Sequence, residues 1–298
     1  MQQISVQRIS VQQIPVRGPF DLAQSTRFLE GFAPARHRGA PDGVLRLACW
    51  AEGSDTAAGI AVSQDAGGAV HVRADADPPR LAEQVARVLG LDVDGAGFPA
   101  VAAADPVLAP LAAARPGFRP VSFWSPYEAA CWAVLSQRTS TAAAAGTKAR
   151  IAGRWGTRHE VDGVAVTAFP TPARLMAVAD ELPVPAVKRQ RLRGLAGAAL
   201  DGRLDGGRLR DLPVEQALAQ VRELPGIGPF SAELVVVRGA GAPDVFPSAE
   251  PRLHEEMAAR YGLEDPSAAE LAGIAERWRP YRSWAAVLLR AAHEQRAG

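Results

Sequence analysis

The sequence predicts an α+β protein, with a small N-terminal antiparallel sheet domain carrying helices and an all-α domain after it. Three observations carry this expectation. Short alternating apolar segments separated by glycine-rich turns fill the N-terminal third. Beyond a linker that contains Asp105–Leu108 and Pro116–Pro120, strand signals fade and helical patterns dominate to the C-terminus. Within that helical part, Leu224-Pro225-Gly226-Ile227-Gly228-Pro229-Phe230-Ser231-Ala232-Glu233-Leu234 reads as helix, tight turn and helix. The predicted domains are residues 1–112 and 113–298.

The N-terminal elements follow in order. Ile4-Ser5-Val6-Gln7 recurs as Ile9-Ser10-Val11-Gln12 and leads into Ile14-Pro15-Val16, an alternation that predicts a strand. Pro19–Phe32 predicts a helix with Phe28 and Phe32 on one face. Gly43–Trp50, Thr56–Ser63 and Ala69–Ala74 predict the strands of a meander, and Arg80–Leu89 an amphipathic helix.

In the helical part, Val214–Glu223 predicts the first helix of the pair and Phe230–Arg238 the second. Gly226 and Gly228 let the backbone turn sharply and remove side chains that would block a ligand. The amides of the turn and of the next helix start then suit an anionic oxygen such as a phosphate. The plainer reading is a tight connection between packed helices. The full pattern resembles the helix-hairpin-helix of DNA repair glycosylases. A Gly/Pro-rich loop follows, and then Asp244-Val245-Phe246-Pro247-Ser248-Ala249-Glu250. With Ser125–Gln137, Phe169–Pro172, Lys188–Arg191 and Ala275–Ala285 in matching order, the chain resembles the bacterial 3-methyladenine DNA glycosylase II family from about residue 120 to 290.

The resemblance implies a helix-hairpin-helix glycosylase domain and a monofunctional base-excision N-glycosylase. Such an enzyme acts on alkylated purines such as 3-methyladenine by base flipping, in double-stranded DNA containing damaged bases. It places the catalytic carboxylate at Glu250, where most members carry aspartate. Pro251 also suits the first position of a helix, so Glu250 is both a candidate cap and a candidate catalyst. Asp244 is the rival carboxylate, with loop fixing by backbone hydrogen bonds as its expected role. Glu233 reads as part of a solvated helix face. Gly226, Ile227, Gly228, Phe230 and Ser231 are the expected DNA contacts of the hairpin. Gln137 and Arg138 match the loop that probes the duplex, with Arg138 where relatives often place an apolar wedge. Phe32, Phe230, Leu234 and Trp284 are the candidate base-pocket residues; packing between the hairpin helices is the alternative for Phe230, and core packing is the plainer reading for Trp284, as for Trp278 and Tyr281. Where relatives carry a late aromatic pair, this chain has Arg290 and Ala291. Lyase relatives carry a lysine where Phe230 stands, so an abasic product is expected. The alternative is a catalytically weakened DNA-binding protein, or a glycosylase with altered damaged-base specificity.

Composition bounds these expectations. The formal net charge is +1, so a DNA surface must come from local arginine clustering. Lys148 and Lys188 are the lysines. Cys49 and Cys131 form no metal or disulfide pattern, and a four-cysteine cluster after the last helix is absent. His37, His71, His159, His254 and His293 are scattered and suggest surface or loop roles. The expectations are no metal site and no required cofactor, with a monovalent cation on the hairpin carbonyls left open by the resemblance. No signal peptide or membrane-spanning run is read, and a cytoplasmic monomer is the default.

Overall fold

The computed structural model describes residues 10–37 and 39–297. The Ile4–Ile9 part of the repeat lies outside them. The chain opens with β1 (Ser10–Ile14) and α1 (Leu22–Gly31), whose N-cap Asp21 accepts a bond from the Ala23 amide. β2 (Leu45–Trp50), β3 (Ala57–Gln64) and β4 (Val70–Ala74) follow, then α2 (Leu81–Val88). The sheet is antiparallel throughout, in the order β1-β4-β3-β2. It buries Leu45, Ile60, Val62 and Val72 against Leu22 and Leu29 of α1 and Val85 of α2. The three meander strands and both helices lie where their alternation and amphipathic spacing place them.

α3 (Phe98–Ala103) and α4 (Leu108–Ala113) come next. A boundary at residue 112 falls inside α4. These alanine-rich helices do not pack as part of the sheet core. Ala102 and Leu108 join Leu253, Met257, Trp278 and Leu289 of the C-terminal helices in one core cluster. Nearby, Arg119 is fully buried and donates to the carbonyls of Pro19 (3.0 Å), Gly90 (2.7 Å), Val93 (3.0 Å) and Arg17. One guanidinium thus holds two loops against the start of the helical part. Arg119→Met strands those carbonyls, and each buried unsatisfied group costs about 1–3 kcal/mol. A loss of about 3 kcal/mol or more in urea unfolding is expected. A loss under about 1 kcal/mol would mean that water replaces the guanidinium.

The helical part is built around α5 (Pro126–Ser136), which is capped by Ser125 and buried from Pro126 to Leu135. A helix apolar on every side belongs in a core, and α5 contributes Tyr127, Trp132 and Leu135 to the largest one. α6 (Thr141–Trp155) follows. The fading of strand signals is then corrected by a hairpin, β5 (Arg158–Val161) and β6 (Val164–Thr167). Its turn is Asp162-Gly163, with φ of 49° and 75°. Asp-Gly is favoured in two-residue hairpin turns because both residues need positive φ. The hairpin is fastened to the sheet by Arg73–Asp162 (2.7 Å) and by a contact of 2.6 Å between the His159 ring and Asp75. His159 therefore lies in a seam between strands, away from the surface or loop role expected of it, whereas His71 in β4 is partly exposed.

The remaining helices are α7 (Pro172–Ala177), α8 (Ala186–Leu200), α9 (Gly206–Asp211), α10 (Val214–Arg222), α11 (Pro229–Leu234), α12 (Pro251–Tyr261), α13 (Ala268–Ala275) and α14 (Arg282–Ala297). The helix expected over Phe230–Arg238 changes character part-way. α11 passes into a π-helical turn at Val235–Gly239, closed by the Ala240 amide on the Val235 carbonyl at 2.8 Å. A Cβ on Gly239 would lie 2.8 Å from the Pro126 Cα, so this turn packs directly on the start of α5. Single π turns often mark functional sites. No helix among the described residues is long and apolar enough to cross a membrane.

Candidate active site

A cleft of about 860 Å³ opens beside the turn between α10 and α11. Phe32, from the segment after α1, forms part of one wall. Its ring lies 5.1 Å from Phe123, edge-on, and 5.5 Å from Phe28. The Arg238 guanidinium stacks 4.7 Å from the Phe32 ring and donates to the Val121 carbonyl at 2.7 Å. This cation–π contact fixes the aromatic wall. Phe230, 43% exposed, and Leu234 stand one turn apart on α11 and line the same cleft. Arg290 and Ala291 line it from α14. Trp284 is not brought there. It packs against Phe98 (5.4 Å) and Tyr281 (5.3 Å) with the Arg119 guanidinium 5.3 Å away, in a separate apolar cluster.

Glu250 lines the cleft and is also the N-cap of α12, its carboxylate accepting the Arg252 amide at 3.1 Å with Pro251 at the first helical position. Glu233 departs from the solvated-face expectation. It is 4% exposed, and its carboxylate accepts the Ser248 hydroxyl at 2.7 Å and the Ala249 amide at 2.8 Å. The 3.6-residue period hides this because the loop that covers this face of α11 lies outside the helix itself, in the segment after it. Glu233 thereby holds the two residues before Glu250. Asp244 does not line the cleft. It pairs with Arg279 (2.7 Å) and Arg282 (2.8 Å), so arginine side chains from the α14 end anchor this loop more than its own backbone does.

The two turn glycines have different jobs. Gly226 has φ of +82°, and the position of its missing Cβ lies 2.5 Å from the Arg191 Cδ. Gly228 is extended, and a Cβ there would meet nothing within 4 Å. Its hydrogen therefore faces open space. Pro229 lacks an N–H, so the donors at this helix start are the amides of Gly228, Phe230 and Ser231. The Ile227 side chain is buried in the core, which leaves only its backbone to face a ligand.

Arg138 is exposed, with φ of +52°, at the loop after α5. The Gln137 amide is spent internally. Its Nε2 donates to the Gly226 carbonyl (2.6 Å) and its Oε1 accepts from Arg191 (2.6 Å). Lys188 donates to the Leu135 carbonyl (2.7 Å) and the Thr139 hydroxyl (3.3 Å), rather than standing free in solvent. Burial, and then the Arg191 charge, lower the Lys188 ammonium from its ordinary value. Lys148 donates to the Pro34 carbonyl (2.9 Å) and Glu128 (2.9 Å). Among the described residues, no group of three or more His, Cys, Asp or Glu gathers as for a metal ion.

No family model matches the chain. It is 36% identical over 179 residues to DNA-3-methyladenine glycosylase 2 of Escherichia coli strain K12, over 59% of this chain and 60% of that protein. It is 32% identical over 203 residues to the probable bifunctional transcriptional activator/DNA repair enzyme AlkA of Mycobacterium tuberculosis, over 67% of this chain and 40% of that one. The chain thus spans less than two thirds of the length of either relative. Among solved structures it superposes on the 3-methyladenine DNA-glycosylase from Archaeoglobus fulgidus with a TM-score of 0.78 at 20% identity, over 95% of this chain and 98% of that one. It superposes on the Clostridium acetobutylicum 8-oxoguanine glycosylase/lyase in complex with dsDNA with a TM-score of 0.69 at 15% identity, over 97% and 99%. The fold is that of the helix-hairpin-helix DNA glycosylases. The curated relatives it matches in part of their length are named as DNA-3-methyladenine glycosylase 2 and AlkA.

Proposed function

We propose that this chain is a monofunctional base-excision DNA N-glycosylase that hydrolyses the N-glycosidic bond of alkylated purines such as 3-methyladenine. The observation that carries this reading is the convergence of Glu250, Phe32, Phe230 and Leu234 on one cleft beside the hairpin turn. The amides of Gly228, Phe230 and Ser231 hold a phosphate of the duplex, and Arg138 enters the gap left by the extruded nucleotide. Phe32 and Phe230 offer ring faces to a base that carries positive charge after alkylation. The base leaves with the electron pair of the C1′–N bond, and a water oxygen bonds to C1′ as its proton departs. Glu250 opposes the positive charge that develops on the sugar and orients that water. The protein works as a monomer on double-stranded DNA and needs no cofactor. A monovalent cation on the hairpin would be held by backbone carbonyls of the turn, of which that of Gly226 already accepts one bond from Gln137.

The product is an intact abasic site. Lyase chemistry needs a neutral amine at C1′. Phe230 stands where the lyase relatives have lysine, while Lys188 and Lys148 are each held by two acceptors. End-labelled DNA is expected to stay full length until alkali is added, and borohydride to trap no covalent complex. Efficient trapping that disappears in Lys188→Ala or Lys148→Ala would contradict a monofunctional reaction.

A second reading is a glycosylase of altered specificity or weakened catalysis. Arg290 and Ala291 favour it, because they make this part of the cleft charged and small rather than aromatic. Assay against methylated, deaminated and etheno bases separates the readings: a preference outside the alkylated set favours altered specificity, and duplex binding without release favours weakened catalysis.

A further inference from the structure

We propose that Arg191 is a positioning residue that locks the probing loop to the hairpin turn through Gln137. On the glycosylase reading, on which this inference rests, insertion into the duplex and grip on its backbone then move as one unit. A guanidinium only donates and a carbonyl only accepts. Between them, only one orientation of the Gln137 amide satisfies both partners: Oε1 toward Arg191 at 2.6 Å and Nε2 toward the Gly226 carbonyl at 2.6 Å. The arginine stem occupies the space that Gly226 leaves open, with Cδ 2.5 Å from where a Cβ would stand. The glycine therefore admits the relay as well as the turn.

Lys188, one turn earlier on α8, fastens the same loop on both sides of Gln137 through the Leu135 carbonyl and the Thr139 hydroxyl. Arg138, at the tip between these fastenings, holds a left-handed backbone that an L residue adopts only when its surroundings impose it. The rival role for Arg191 is direct binding of a phosphate, and salt dependence separates the two. A variant that no longer neutralises one phosphate has a slope of log affinity against log salt smaller by about 0.9.

The test compares wild type with Arg191→Met, Gln137→Met, the double variant and Arg191→Lys. On undamaged duplex, the salt slope is expected to stay at its wild-type value in Arg191→Met. Base release under single turnover falls on the order of tenfold or more in each single variant, because a misplaced loop misplaces the extruded base. The double variant falls no further, since both changes cut the same relay. Arg191→Lys retains a donor and recovers part of the rate. Amide exchange rises both in the 137–139 loop and in the 224–228 turn of Arg191→Met. A slope reduced by about 0.9 would overturn the proposal in favour of phosphate binding. A double-variant loss equal to the product of the single losses, or unchanged exchange in the turn, would also overturn it. If wild type releases no base from any damaged duplex, the glycosylase reading falls, while salt slope and exchange still decide the relay.

Discussion

Glu250→Gln is expected to abolish most base release, by about a hundredfold or more, while duplex affinity stays within a few-fold. The substitution keeps the shape of the side chain and an oxygen to accept the Arg252 amide, so the α12 cap survives. On the proposed mechanism, it removes the charge that opposes the developing oxocarbenium ion. Single-turnover release from methylated duplex, beside a binding titration on undamaged duplex, reads the two effects separately. Equal rates in wild type and variant would remove Glu250 from the mechanism. Glu250→Asp tests whether the cleft is fitted to the longer carboxylate. The surroundings argue for fit: the buried Glu233 carboxylate sets the loop by holding Ser248 and Ala249, so a shortened Glu250 falls back from the cleft and the rate drops. A clear gain in rate would contradict that fit.

Gly226→Val and Gly228→Ala are expected to weaken binding to damaged and undamaged duplex alike, for different reasons. Valine at 226 meets both a φ of +82° and the Arg191 stem, so the turn itself must rearrange. Stability and duplex affinity fall together, the affinity by about tenfold or more, in keeping with a loss above about 1.4 kcal/mol. Alanine at 228 meets neither obstacle, because the backbone there is extended and its Cβ points into open space. Folding is therefore unchanged, while the added methyl stands where a phosphate oxygen would approach the amides. Phosphate contacts carry no sequence information directly, so the loss is uniform across duplexes. Normal binding with poor turnover in Gly228→Ala would place the turn at the base instead of the backbone.

Much of the fold is legible in the sequence because local chemistry decides it. Alternation marks β2, β3 and β4, and the Gly-x-Gly turn separates α10 from α11. The β5–β6 hairpin carries a local signal too, Asp162-Gly163 between apolar residues, but its strands are only four residues each and sit among long helices. α3 and α4 are harder, since alanine-rich turns bury too few large side chains to show which core they join. At the site, the sequence brings forward Glu250, Phe32, Phe230 and Leu234, which share the cleft. It does not reveal the roles of Glu233, Arg238 or Arg191. Each works through a partner distant in sequence: the Glu250 loop, the Phe32 ring and the Gln137 amide. Trp284 shows the converse. An aromatic on the final helix suits a pocket by type, but here it completes a core around Arg119.

The central claim meets its most direct test in an end-labelled duplex carrying one damaged base, drawn from a panel of alkylated, deaminated and etheno bases and incubated with excess wild-type protein. The account predicts free alkylated purine, 3-methyladenine among the products, and a strand that breaks only after alkali. Tight duplex binding with no base released anywhere on the panel would contradict it.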